Sequence, residues 1–169
     1  MYGNTHQIAD AIGTGLADGF DVAVVPVAEA GRAVLADADL VVVGGPTHVH
    51  GMTRASTRQA AAKAAQESGS GLTLEPDALE PGLREWLDSL GKSTVRAKAA
   101  AFDTRVEGPA AFTGRASKGV GRALRQHGYE LVAEPESFIV TKENHLGPAG
   151  GDRARDWGAR LAAVSALAG

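Results

Sequence analysis

Short apolar runs alternate along this chain with stretches in which apolar residues recur every three or four positions. The runs at 21–27, 39–45, 97–102 and 136–141 are bounded by polar residues or glycine, which is typical of strands. The second run is continuously apolar, as expected for a strand buried on both faces of a parallel sheet. Pro26 suits an edge position for the first run.

Helical spacing of apolar residues fills the intervals between these runs. It extends over about 6–19, 53–67, 82–90, 115–127 and 151–167. Strands that alternate with helices indicate right-handed crossovers and a doubly wound parallel sheet. The pattern therefore predicts an α/β fold, and a length of 169 residues suits one domain with a full core.

Composition removes several classes of protein from consideration. No run approaches the roughly 20 apolar residues that span a bilayer, and the start of the chain lacks the basic and apolar parts of a signal peptide. With no cysteine, the chain has no disulfide, no thiolate nucleophile and no iron–sulfur ligand. We therefore expect a cytoplasmic protein that does not enter a membrane.

The net charge of -3 is unevenly distributed along the chain. Residues 1–91 carry 5 basic and 12 acidic side chains, whereas residues 92–125 carry 8 basic and 2 acidic ones. Such a basic segment can meet an acidic partner or a nucleic acid. Because few aromatic residues interrupt it, a solvated face is the favoured interpretation, and we expect no nucleic-acid partner.

Three polar segments are expected beyond the carboxyl ends of the strands, where open α/β sheets bind their ligands. The first precedes the first helix, and its Gly3, Asn4 and Thr5 can approach, cap and donate to a phosphate. It lacks the Gly-Lys-Ser/Thr and Gly-x-Gly-x-x-Gly patterns of nucleotide loops, which favours a terminal monophosphate. An ordinary threonine cap with a turn glycine is an equally good interpretation.

The other two segments follow the runs at 39–45 and 97–102. The second offers two histidines and a methionine to a flat ring, after a backbone path fixed by Gly44-Gly45-Pro46. The third offers polar groups to the edge of a heterocycle. No third ligand accompanies the two histidines, so we expect no metal. The predicted site residues are Tyr2, Gly3, Asn4, Thr5, His6, Pro46, Thr47, His48, Val49, His50, Gly51, Met52, Asp103, Thr104 and Arg105.

These motifs together resemble those of flavodoxin-like FMN-binding proteins. The matching residues are Tyr-Gly-Asn-Thr, then Gly-Gly-Pro-Thr-His-x-x-Gly-Met, then Phe-Asp-Thr-Arg. The Gly-x-Arg-Glu-Trp-Leu helix at 82–87 is similar to that of small single-domain members of this family from actinobacteria. The resemblance covers essentially the whole chain.

The resemblance implies an FMN phosphate at Tyr2–Thr5 and an isoalloxazine ring between the Pro46–Met52 and Asp103–Arg105 loops. It implies an electron-transfer protein or a small flavin-dependent reductase, in which the cofactor carries the redox chemistry and no residue is an acid–base catalyst. Its partner would be a redox protein or a small quinone or nicotinamide donor. The alternative is a flavodoxin-fold module without flavin that binds proteins through the basic segment 92–125.

The family orders its strands 2-1-3-4-5, and the resemblance places the first strand before the phosphate loop, where this sequence begins. We therefore expect a single domain over 1–169 that lacks the central first strand. The runs at 21–27 and 39–45 would then flank a vacancy of roughly 10 Å, which is two inter-strand spacings.

Overall fold

The computed structural model describes residues 3–48, 51–66, 81–92, 97–141, 145–147 and 149–167. Strands and helices alternate through most of this chain. In order, the elements are α1 (Asn4–Leu16), α2 (Arg32–Ala36), β1 (Leu40–His48), β2 (Gly51–Met52), α3 (Ala55–Gln66), α4 (Leu83–Ser89), β3 (Lys98–Val106), α5 (Ala110–Thr113), α6 (Ala116–Gln126), β4 (Glu130–Leu131), β5 (Glu136–Val140) and α7 (Gly150–Leu167).

The sheet is parallel except for one short hairpin. β1 and β3 pair in parallel over seven residues, from Leu40 opposite Lys98 to Pro46 opposite Thr104. β4 and β5 pair in parallel with the other edge of β3, one near its start and one near its end. β2 folds back antiparallel onto the end of β1, on the edge away from β3. β3 is therefore the central strand of the described sheet.

Two apolar clusters cover the two faces of the sheet. On one face, α1 and α7 enclose the rings of Phe102, Phe138 and Trp157, which pack edge to face with centroids 6.0 to 6.4 Å apart. The other face is covered by α4 and α6, chiefly through leucine and valine side chains from the helices and from β1. Because helices cover both faces, the strands between them are apolar on both sides.

α1 and α7 pack with their backbones close together. A Cβ added to Gly15 would lie 2.0 Å from the carbonyl oxygen of Arg155, and one added to Gly158 would lie 2.2 Å from that of Ile12. Glycine is required at both positions because any side chain would collide with backbone.

The α/β class and the parallel sheet predicted from the sequence are confirmed. Two strands run further than predicted: the run at 39–45 is part of β1, which ends at His48, and the run at 97–102 is part of β3, which ends at Val106. The residues expected in ligand-binding loops at Pro46–His48 and Asp103–Arg105 therefore lie near the carboxyl ends of β1 and β3. The short elements α2, β2, α5 and β4 were not predicted.

The strand predicted at 21–27 is wrong. Residues 21–26 belong to no helix or strand and pair with no strand of the described chain. Val24 and Val25 are 40% and 41% exposed. A cavity of about 760 Å³ separates this segment from β1. Residues of high β propensity do not form a strand here because propensity reflects the fit to a neighbouring strand, and none lies beside them.

No helix within the described ranges is long and apolar enough to cross a membrane.

Candidate functional site

The site begins at Gly3, which precedes α1 in a left-handed conformation with φ of 80°. Residues with a β carbon rarely adopt this conformation. The N-cap position of α1 is Gly3, which makes no side-chain cap bond. The predicted cap by Asn4 or Thr5 is therefore wrong, and both residues lie in the first turn of the helix. The first N–H groups of a helix and its dipole favour an anion ahead of them. The start of α1 therefore offers backbone donors to a negatively charged group.

A hydrogen bond between two threonines joins the first predicted segment to the third. Thr5 Oγ1 and Thr104 Oγ1 lie 2.7 Å apart, although 99 residues separate them in the chain. Thr104 is almost fully buried at the end of β3. The bond holds the first turn of α1 against the carboxyl end of the sheet.

The second and third segments are neighbours because β1 and β3 end side by side. Pro46 lies opposite Thr104 in the parallel ladder. From these two strand ends, Thr47 Oγ1 accepts a hydrogen bond from the backbone N–H of Ala116 at 2.9 Å, and Asp103 Oδ2 accepts one from the N–H of Ser117 at 2.7 Å. Side chains of both strands therefore cap α6, a link that the sequence reasoning missed.

Two buried polar atoms lie where these strand ends meet α6. Asp103 and Ser117 are completely buried, and neither Asp103 Oδ1 nor Ser117 Oγ has a hydrogen-bond partner among the described residues. A buried carboxylate oxygen without a donor is costly. A ligand that brings an N–H or O–H group would satisfy it.

A two-residue hairpin extends the end of β1. Thr47 pairs with Met52 and His48 with Gly51. The carbonyl oxygen of Met52 accepts a hydrogen bond from Arg84 of α4. A Cβ added to Gly51 would meet nothing within 4 Å. The hairpin is thus anchored on one side and open at Gly51.

Burial lowers the pKa of His48 below its ordinary value, because a charged imidazolium would lose hydration there. The side chain is therefore neutral at pH 7. A neutral imidazole presents a flat, uncharged surface at the base of the hairpin.

Two predicted site residues are directed elsewhere. Arg105 Nη1 donates to the carbonyl oxygen of Gly108 at 2.8 Å and to Thr113 Oγ1 at 3.0 Å, so its guanidinium holds the turn after β3. His6 is exposed and lies 3.6 Å from Asp10 on the surface of α1. Tyr2, Val49 and His50 lie outside the described residues.

The structure therefore brings together most of the predicted site, at the carboxyl edge of the sheet. The residues that meet there are Gly3, Asn4, Thr5, Pro46, Thr47, His48, Gly51, Met52, Asp103 and Thr104. Over the described ranges, no group of three or more His, Asp or Glu side chains could hold a metal ion.

Comparison with solved structures relates this geometry to one fold. A flavodoxin from the domain Archaea superposes with a TM-score of 0.62 and 18% identity, over 98% of this chain and 93% of that one. Oxidised flavodoxin 1 from Bacillus cereus gives 0.61 and 19%, over 95% and 90%. The chain has a flavodoxin-like fold.

The match to flavodoxin-like structures covers nearly the whole chain. A WrbA-like flavodoxin from Agrobacterium tumefaciens matches over 99% of this chain and 92% of its own, with a TM-score of 0.55 and 19% identity. No protein-family model and no curated protein matches the sequence. The resemblance read from the motifs is thus confirmed at the level of the fold.

Proposed function

We propose that this protein binds FMN non-covalently and transfers electrons through it. The hydrogen bond between Thr5 and Thr104 carries the proposal, because it places the start of α1 against the ends of β1 and β3. Open parallel sheets bind ligands at this edge. The flavodoxin-like fold supports the same assignment.

The phosphate of FMN would lie ahead of α1. Gly3 at the N-cap position permits close approach of the backbone and has no side chain of its own to obstruct an anion. Thr5 adds a hydroxyl beside them. A helix N-terminus holds an anion through these donors and its dipole, so a monophosphate needs no lysine or arginine here.

The ring system would lie against the hairpin at the end of β1. The absence of any atom within 4 Å of a Cβ at Gly51 leaves room for a flat group, and His48 is neutral. Asp103 Oδ1 is a buried acceptor that could receive an N–H of a heterocycle. These residues fit the group, and their work is to bind it, orient it and exclude water, while bound FMN supplies the redox chemistry.

A redox partner protein with an acidic surface is part of the proposal. Lys118, Arg122 and Arg125 are exposed and recur at helical spacing on α6, so they share one face. The start of this helix is capped by Thr47 and Asp103, which places the basic face next to the proposed site. Charge complementarity of this kind guides weak electron-transfer encounters. A small quinone or nicotinamide is the alternative donor.

Titration of the purified chain with FMN tests the proposal. Bound flavin should show quenched fluorescence and a shifted absorbance band at about 450 nm, since the protein replaces water around the ring. Thr104→Val should weaken FMN binding by about tenfold, the equivalent of one hydrogen bond of about 1.4 kcal/mol. Thr14→Val on α1 is the matched control, because this exposed threonine donates to the carbonyl of Asp10 within its own helix.

A folded chain that does not bind FMN at high micromolar concentration would contradict the proposal. That result would favour the alternative, a flavodoxin-fold module that binds a protein through the basic segment 92–125. Equal losses of FMN affinity in the Thr104→Val and Thr14→Val variants would show that the threonine pair does not belong to the binding site.

A further inference from the structure

The large apolar side chains that remain exposed are gathered mainly at two places. Seven such side chains are exposed in the part of the chain that the structure describes. Three of them are Val24, Val25 and Val34, which line one cavity and therefore lie near each other. Two more are Val106, the last residue of β3, and Phe112 of α5. Exposed apolar side chains that occur in groups mark surfaces that meet another protein.

The two groups lie in surroundings of opposite charge. Residues 10–39 carry six acidic side chains and one basic one, whereas residues 104–129 carry five basic side chains and one acidic one. The valine surface consists of the three valines and the exposed aspartates that line the same cavity, Asp21, Asp37 and Asp39. The Phe112 surface consists of the second apolar group and the exposed cations of α6, Lys118, Arg122 and Arg125. One chain therefore carries an acidic apolar surface and a basic apolar surface.

α5 presents Phe112 on a fixed backbone. This helix of four residues buries none of them, and Phe112 is 76% exposed. Arg105 donates to the carbonyl oxygen of Gly108 and to Thr113 Oγ1, one on each side of the helix. The backbone N–H groups of Phe112 and Thr113 both donate to the carbonyl oxygen of Pro109. Because the backbone is already ordered, Phe112 loses little freedom on binding and is suited to anchor a contact.

The Phe112 surface has the dimensions of one protein interface. Phe112 lies four residues before Ala116, where α6 begins, so their separation is at most about 14 Å. The cations from Lys118 to Arg125 extend along about 10 Å of that helix. An interface that buries about 800 Å² on each partner is roughly 30 Å across. The aromatic anchor and the cations can therefore contact one partner at the same time.

We propose that the Phe112 surface of one copy of this chain binds the valine surface of a second copy. Phe112 packs against the exposed valines, and the cations of α6 face the aspartates around them, so apolar groups and charges are both complementary. A contact between two unlike surfaces is head to tail, and each added copy leaves one surface of each kind free. Association therefore continues beyond a dimer. The acidic redox partner proposed above would use the same face of α6, so the two contacts exclude each other.

Sedimentation velocity of the purified chain at increasing protein concentration tests the proposal. At low salt, the average mass should rise beyond that of a dimer as the concentration increases, because the contact does not close on itself. At about 0.5 M salt the association should weaken, since exposed charges are then screened beyond about 4 Å. The measurement needs no FMN, so its outcome and that of the flavin titration are independent.

Two variants that each disable one surface give the sharper test. Phe112→Asp and Val34→Lys change side chains that are 76% and 49% exposed, so both variants should keep the circular dichroism spectrum of the wild type. Each alone should associate at least tenfold more weakly, because a central anchor carries much of the binding energy of an interface. An equimolar mixture should form a complex of two copies and no larger one, since each variant retains one intact surface. Leu167→Asp, at an 89% exposed position of α7 outside both surfaces, is the matched control and should associate like the wild type.

Several results would overturn the proposal. A wild type that stays monomeric at every concentration has no such contact. A mixture of Phe112→Asp and Val34→Lys that associates no better than its components shows that the two surfaces do not bind each other. A wild type that stops at a dimer excludes the head-to-tail arrangement. Equal losses in Phe112→Asp and Leu167→Asp would mean that the association is not specific to the Phe112 surface.

Discussion

The two edges of β1 belong to the same apolar strand but have very different surroundings. On the edge towards β3, β1 is paired over seven residues, and β5 extends the sheet beyond β3, with α1 and α7 packed on one face. Towards the 21–27 segment it faces a cavity of about 760 Å³. Apolar composition alone therefore does not produce a sheet, because each strand also needs a neighbour for its backbone groups.

The comparison also separates two roles within the domain. The finished edge carries the proposed cofactor site, because Thr104, Asp103 and Thr47 all lie at ends of strands that pair with each other. The open edge carries the cavity. Rigid elements place site residues more reliably than loops do. The part of the proposed site formed by Thr47, Asp103 and Thr104 therefore belongs to the paired part of the sheet, whereas Gly3 and Thr5 also line the cavity.

Glycine-to-alanine changes on α1 should give the largest difference in stability, between the side of the helix that faces α7 and the side that faces the 21–27 segment. A Cβ at Gly15 would collide with the backbone of α7, 2.0 Å from the carbonyl oxygen of Arg155. A Cβ at Gly13 would meet only the side chains of Val24 and Val22, at 3.1 and 3.3 Å. Urea denaturation should show a loss of about 2 to 3 kcal/mol for Gly15→Ala.

Gly13→Ala serves as the control on the same helix. We expect its free energy of unfolding to stay within about 0.5 kcal/mol of the wild type, because the wall of the cavity can move and alanine favours the helix. Similar losses in the two variants would mean that the 21–27 segment is packed as firmly as α7.

The next largest effect on stability is expected from an ion pair that lies beside the cavity. Arg58 is 6% exposed and donates to both carboxylate oxygens of Glu85, at 3.2 and 3.1 Å, while Glu85 also accepts from the N–H of Gly82. Glu85→Gln should cost about 1 to 2 kcal/mol, less than a fully buried pair because the carboxylate is partly exposed. Asp152→Asn, which breaks the exposed Arg155 pair, should cost less than about 0.5 kcal/mol.

The same pair predicts a pH dependence. The hydrogen bond from Arg58 holds the pKa of Glu85 below its ordinary value. Its contribution to stability is therefore complete above the ordinary pKa of a glutamate and is lost as the pH falls through the lowered folded pKa. The stability difference between wild type and Glu85→Gln should shrink below about pH 4. A constant difference in acid would contradict this assignment.

The smallest effect concerns His48, at the base of the hairpin. Burial lowers its pKa in the folded protein, so protonation favours the unfolded chain as the pH falls below about 6.5. The wild type should lose stability from there down to the folded pKa, and His48→Gln should lose less. Urea midpoints between pH 5 and pH 8 measure both slopes.

Much of the fold could be predicted from the sequence because the spacing of apolar residues reflects which positions are buried. The runs that became β1, β3 and β5 are apolar for the reason that helices cover both faces. The run at 21–27 has the same composition, and only its missing neighbour distinguishes it. No local signal shows whether a neighbouring strand exists, so this strand could not be rejected from the sequence.

The sequence indicated which polar residues would lie together at one edge of the sheet, but not the contacts that hold them there. Motifs at strand ends located Thr5, Thr47 and Asp103 correctly at one edge of the sheet. The polar stretch Asp103–Arg105 was read as a loop, yet β5 pairs with these residues and keeps them in the ladder. Polar residues in a strand are predicted poorly because their long-range partners, here the start of α6, decide their conformation.

Nitrogen-15 NMR of the labelled chain during an FMN titration tests the account most directly, because the finished edge and the cavity compete as places for a flat ligand. The account predicts shifts in the amides of Thr47–Met52 and of Asp103–Arg105, together with those of Gly3–His6, which also line one end of the cavity, and it predicts that the amides of 21–27 stay unmoved. No shift at saturating FMN, or shifts centred on 21–27 and the free edge of β1, would contradict it.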